Sequence, residues 1–149
     1  PSKAFDILIK SLKKEGYVLV GLYNKIGRIR TIIRKYIYKL FGISVLKFLD
    51  PTLKNLKKDE EEKKSWIRDQ YLHPIESLHT IDEVLGWFKR NNIKFISSIP
   101  SSDLQDNYEN LFEEKSEGSR YLRFFSQFFM IFNRLGSDGG LFIVIGKKL

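Results

Sequence analysis

A helix, a lone glycine and a short apolar run open this chain in that order, which points to a layered α/β architecture. Residues Ser2 to Lys14 place Phe5, Leu8, Ile9 and Leu12 at helical spacing with lysines between them. Ser2 stands where it can cap that helix, and Gly16, just past Glu15, where it can stop it. Tyr17 to Leu22 then reads as a buried strand covered on both faces. Helix, glycine turn and buried strand make the αβ unit of a layered sheet. Similar punctuation returns further on. Thr80-Ile-Asp-Glu83 is a capping-box pattern, in which the threonine oxygen accepts a backbone N–H and the glutamate reaches back. The helix it starts runs through Val84, Leu85, Trp87 and Phe88 to Asn91-Asn92. Ile93 to Ile99 alternates as a strand closed by Pro100. Ser137-Asp-Gly-Gly140 is a turn, and Leu141 to Gly146 is a last buried strand. So short a turn lets that strand return antiparallel to the one before it.

The segments between these units read as helical insertions. From Arg28, an apolar face of Ile29, Ile32, Ile33, Tyr36, Ile37 and Leu40 alternates with Arg30, Arg34, Lys35 and Lys39, a basic amphipathic helix ended by Gly42. A second apolar patch, Ile43 to Leu49, stops at Asp50-Pro51. Lys54 to Lys64 is a charge-dense run whose default reading is a solvated helix or loop. Ser101 to Ser119 is polar and irregular, with one helical turn near Tyr108 to Phe112. Arg120 to Leu135 is an aromatic helix, fit either to cover the sheet or to line an apolar pocket.

A chain of 149 residues with 42% hydrophobic content is long and apolar enough for one packed domain. It has no cysteine, which excludes disulfides and thiolate metal sites and fits a reducing compartment. No apolar run reaches the roughly 18–20 residues of a membrane span, and no secretory signal opens the chain. The net charge of +8 fits a nucleic acid, an anionic membrane or a phosphorylated substrate, or merely lysine-rich coding. The lysines are scattered and broken by an acidic run, and no reading module appears, so nucleic acid is not expected. The first residue is Pro1 and a helical pattern is under way by Ala4, so the chain is expected to be cut from something longer.

The order of elements, together with Leu12-Lys-Lys-Glu-Gly16, the strand Tyr17-Val-Leu-Val-Gly-Leu-Tyr-Asn24, the Arg-rich helix, His73-Pro-x-Glu76, Thr80-x-Asp-Glu-Val84 and Gly140-Leu-Phe-Ile-Val-Ile-Gly146, resembles the C-terminal half of a class I S-adenosylmethionine-dependent methyltransferase. The resemblance covers nearly all of the chain, least surely residues 50–64 and 101–120. It implies a partial Rossmann-like sheet of the family's last three strands, the final one inserted antiparallel between the fifth and sixth. It implies a helical cap or acceptor-binding insertion at 25–79 and a second helical insertion at 101–136. S-adenosylmethionine would be bound mainly by an N-terminal half. Neither the family's glycine-rich loop nor the acidic residue that holds the ribose hydroxyls occurs here. The chain would then supply the acceptor side, for a small-molecule, glycan or lipid-linked acceptor. It would be inactive alone, and cytoplasmic, with a peripheral membrane contact as an option. The alternative is a non-catalytic basic α/β module that binds an anionic membrane surface or a protein partner.

Methyl transfer from a sulfonium asks a protein to hold the acceptor close and aligned, and for some acceptors to supply a base. His73 and His79 are the only histidines, and His73 is the candidate base. The bland alternatives are a loop packer before Pro74 and a locally bonded residue before a helix cap. Asp69, Gln70, Tyr71 and Glu76 crowd the same loop as acceptor-binding candidates; Asp69 and Glu76 equally suit pairing with Arg68 or a lysine. Tyr23 and Asn24 sit at the C-terminal end of a strand, where open α/β sheets bind ligands, unless Asn24 merely ends the strand. Arg28, Arg30 and Arg34 suit a phosphate or sulfate on the acceptor or an anionic lipid surface, or form a solvated helix face. Two histidines six residues apart do not match a metal spacing on one helix face.

Overall fold

The computed structural model describes residues 1–55, 60–72, 76–105, 109–132 and 140–149. In chain order the elements are α1 (Ser2–Ser11), β1 (Tyr17–Asn24), α2 (Ile29–Leu49), α3 (Pro51–Asn55), α4 (Glu60–Tyr71), β2 (Leu78–His79), α5 (Ile81–Arg90), β3 (Ile93–Ile99), α6 (Arg120–Phe129) and β4 (Leu141–Lys148). The architecture is α/β with a four-stranded, mixed, open sheet. The chain divides into two compact units, Pro1–Gly27 with Ser77–Leu149, and Arg28–Glu76.

The first unit carries the sheet, in the order β2-β1-β4-β3. β4 pairs antiparallel with β1, from Tyr17–Lys147 to Tyr23–Leu141, and antiparallel with β3, from Ile93–Lys148 to Ile99–Ile143. β1 and β3 are therefore parallel to each other, with the last strand of the chain between them. The fourth strand, β2, is absent from the sequence reading; it runs parallel to β1 and reaches only Tyr23 and Asn24.

One face of this sheet holds the core. Val18, Val20 and Leu22 alternate along β1, opposite Phe142 and Val144 of β4 and beside Ile93 and Phe95 of β3. Phe5 and Ile9 of α1 and Ile81, Val84, Leu85, Trp87 and Phe88 of α5 close over them. Phe5 lies against the rings of Trp87 and Phe88, with centroids 5.8 and 5.7 Å away. The opposite face is only partly covered. The loop after β3 is tied down by the Ser97 hydroxyl, which donates to the Leu111 carbonyl, and by Lys94 bonding Glu114. It reaches Tyr17 through an edge-on contact with Phe112 at 5.1 Å. Leu19 remains 57% exposed, which corrects the expectation of a strand covered on both faces. Ser2 lies inside α1, whose N-cap is Pro1, and does not cap it.

α6 is turned against its composition. Its buried side chains are Ser126 and Gln127, while Tyr121, Phe124, Phe125 and Phe129 are exposed. The reason is that polar groups inside need partners more than rings need cover. The Ser126 hydroxyl donates to the Ser101 carbonyl at 2.7 Å, and Arg123 bonds the Asp82 carboxylate at 2.8 Å. The rings on the outside contact one another, Phe124 with Phe128 at 6.2 Å and Phe128 with Phe132 at 5.6 Å.

The second unit is helical. Leu46 of α2, Leu53 of α3 and Ile67 and Tyr71 of α4 form its small core, with Tyr38, Ile43 and Trp66 packed around them. Gly42 does not end the helix as expected; it bends it, with φ 71° and ψ −166° between two helical segments. That conformation belongs almost exclusively to glycine. An added Cβ meets nothing within 4 Å, so backbone strain alone sets the effect of a side chain. Gly42→Ala is expected to cost about 1–3 kcal/mol in denaturant unfolding, against the usual gain from replacing glycine within a helix. A stabilised variant would mean that the bend is not held.

Candidate functional site

The C-terminal end of β1 and the adjoining β2 gather three of the sequence candidates. Tyr23 is half-buried and pairs in register with Leu78, and Asn24 pairs with His79. Asn24 is fully buried. Its Oδ1 accepts the backbone N–H groups of Ile26 and Gly27 at 2.9 and 3.0 Å, which turns the chain out of the strand. Its Nδ2 donates to Gln127 Oε1 at 2.8 Å. The same Gln127 oxygen accepts the N–H of Ile81 at 3.0 Å, one of the free donors at the start of α5. The Gln127 amide nitrogen donates back to the Arg123 carbonyl at 2.9 Å. Asn24 and Gln127 thus form a polar joint between the strand end, α5 and α6. Gln127 was not among the candidates read from the sequence.

His79 stands beside this joint. Its Nδ1 lies 2.7 Å from Glu83 Oε2, and its ring meets Trp87 edge-on at 5.2 Å. Thr80 caps α5 as the capping box requires, its hydroxyl accepting Glu83 N–H at 3.2 Å. The Glu83 carboxylate goes to the histidine instead of reaching back. In the neutral tautomer that donates Nδ1–H to this carboxylate, the lone pair of the ring is on Nε2. That atom is buried and has no hydrogen-bond partner among the described residues. The arrangement has the orienting carboxylate of a general base, but its basic nitrogen is closed off from solvent. His79→Phe keeps the ring against Trp87 and removes the unpaired nitrogen. Stability should then stay within about 1 kcal/mol of the parent or rise, because an unpaired buried polar atom costs about as much as the lost bond contributes. A loss well beyond that in thermal unfolding would mean that Nε2 has a partner.

Within the second unit, three other candidates meet. Arg28 is 2% exposed. Its Nε donates to Glu76 Oε1 at 2.7 Å, and one terminal nitrogen lies 2.6 Å from the same oxygen. Its other terminal nitrogen donates to Gln70 Oε1 at 3.1 Å. The guanidinium is thus compensated, so an incoming anion must displace Glu76 to reach it. Tyr71 belongs to a second cluster, built on Asp50. Asp50 is 2% exposed, and its Oδ1 accepts the N–H groups of Thr52 and Leu53 at the start of α3, at 2.8 and 3.4 Å. Its Oδ2 accepts from Trp66 Nε1 at 3.0 Å and from the Tyr71 hydroxyl at 2.6 Å. Burial first, and then the hydrogen bond to Asp50, push the Tyr71 phenol far above the ordinary tyrosine range. The sequence signal for Asp50 was Asp-Pro, an N-cap followed by the favoured first helical residue. Arg30 and Asp69 lie on exposed surface. His73, the candidate base, lies outside the described residues.

The glycines beside the strand end serve close packing: a Cβ on Gly27 would lie 2.9 Å from the Gly140 Cα and 3.1 Å from Met130 Cβ. The polar atoms of Asn24 are committed to the turn and to Gln127. The sequence matches no protein-family model and no curated protein.

Proposed function

We propose that this chain is the acceptor side of a class I S-adenosylmethionine-dependent methyltransferase, with a partial Rossmann-like sheet. The observation that carries the reading is the placement of β4. The last strand in sequence lies antiparallel between two strands that are parallel to each other, with α5 leading into the second of them. That arrangement is similar to the family's fifth, seventh and sixth strands. Among the described residues, the outer edge of β1, where the family has its fourth strand, pairs with the two residues of β2. The acceptor class is a small molecule, a glycan or a lipid-linked group, held near the C-terminal ends of β1 and β2. The cofactor-binding half would come from residues other than these.

The test is calorimetric titration of S-adenosylmethionine into the whole gene product and, in parallel, into residues 1–149. Micromolar binding by the former and none by the latter is expected. Absence of binding by the whole gene product overturns the reading.

A further inference from the structure

We infer that α2 is a docking surface for an anionic lipid bilayer, on which it lies flat. The inference stands without the methyl-transfer reading. α2 holds Leu46 against its own unit and turns another side to solvent. Ile29, Ile33, Tyr36 and Leu40 are 40, 52, 62 and 76% exposed. At about 100° per residue these four fall in one narrow stripe along the helix. Arg30 and Lys39 fall on opposite shoulders of that stripe, and both are exposed. Past the Gly42 bend a further apolar side chain is on the surface, Phe48 at 88% exposed, with Lys47 exposed beside it.

Charge decides between occupants. The 21 residues of α2 contain no acidic side chain, and their cations are Arg30, Arg34, Lys35, Lys39 and Lys47. An apolar stripe flanked on both sides by cations fits a surface that is apolar inside and anionic at its boundary. A second copy of the chain would bring the same positive shoulders together. No helix among the described residues is long and apolar enough to cross a membrane, so the geometry points to lying on the bilayer. A contiguous exposed apolar patch of this kind marks an interaction site.

The experiment is flotation of the whole chain with phosphatidylcholine vesicles, with and without phosphatidylglycerol. Binding to the anionic vesicles, weakened by salt, is expected, with little binding to phosphatidylcholine alone. Ile33→Asp with Leu40→Asp should reduce binding about tenfold or more, since each places a charge where the stripe meets the acyl region. Lys39→Glu with Lys47→Glu should weaken binding to anionic vesicles about fivefold for each cation lost. All four positions are on exposed surface, so far-ultraviolet circular dichroism should be unchanged. Phe48→Glu, at the most exposed of these positions, is the second variant should the pair fail to fold. No binding to anionic vesicles overturns the inference, as does equal binding to both vesicle types or full binding by folded Ile33→Asp/Leu40→Asp. A dimer in sedimentation equilibrium that the same pair dissolves, with no vesicle binding, assigns the stripe to a second copy instead.

Discussion

Asp50→Ala should lower the stability of residues 28–76 more than any other single change in that unit. The substitution removes the cap of α3 and strands two donors, the Trp66 indole N–H and the Tyr71 hydroxyl. A lost cap costs about 1 kcal/mol and each stranded donor about 1–3 kcal/mol, so a fall of about 3–7 kcal/mol is expected. Denaturant unfolding followed by tryptophan fluorescence measures it, because Trp66 reports on the cluster itself. The same site gives a pH signature. The folded state keeps the Tyr71 proton well past the ordinary value of 10.0, while the unfolded chain releases it there. Above about pH 10 the folded state therefore binds more protons, and stability falls as pH rises. Asp50→Ala should make that alkaline fall shallower. An unchanged alkaline slope would sever Tyr71 from Asp50.

Gln127→Leu is the second large effect, and its sign runs against the usual rule for a buried helix position. Leucine fills similar space but leaves Asn24 Nδ2 and the Ile81 N–H without their acceptor. Two buried donors unpaired amount to about 2–6 kcal/mol. On the outward side of the same helix, Phe124→Gln should change stability by less than about 1 kcal/mol, because Phe124 is 49% exposed. Thermal unfolding of the two variants side by side tests the orientation of α6. If Phe124→Gln is the costlier change, the helix sits the other way round.

That orientation also marks where sequence reading ran out. The existence of α6 was legible, since Phe124, Phe125, Phe128 and Phe129 recur at helical spacing. Periodicity says that such residues share a face, not which way the face points. The partners that draw Ser126 and Gln127 inward are Ser101 and Ile81, distant in sequence and therefore invisible to any local pattern. The bounds of β3 match the sequence reading because Pro100 and a two-asparagine turn bracket it, but a register shift between Phe95 and Ser97 breaks the expected alternation. β1 runs two residues past the apolar run Tyr17 to Leu22, to the Asn24 that the family resemblance also gave as its end. β2, at two residues, is too short to leave a periodic trace. Asp50 read as punctuation because its helix cap is local, while Trp66 and Tyr71 arrive from another helix. His79 and Glu83 stand only four apart, but the capping-box pattern assigned the carboxylate elsewhere. Of the acceptor-binding candidates, Arg28, Gln70 and Glu76 meet in one cluster, and Asn24 stands beside His79 across the strands.

The short reach of β2 gives β1 an uneven chemistry along its length. The Gly16 carbonyl accepts the Lys148 N–H, and the Asn24 N–H donates to the Gly140 carbonyl. In an antiparallel pair the bonded positions alternate, so Val18, Val20 and Leu22 also turn their amides toward β4. Leu19 and Gly21 turn theirs the other way, beyond the reach of β2. Within one strand, deuterium should therefore enter at every second residue. The amides of Leu19 and Gly21 would exchange quickly, while those of Val18, Val20 and Leu22 exchange only when the sheet opens. Any strand that docks along β1 would erase this alternation, leaving the even-numbered amides as they were and slowing only the odd ones.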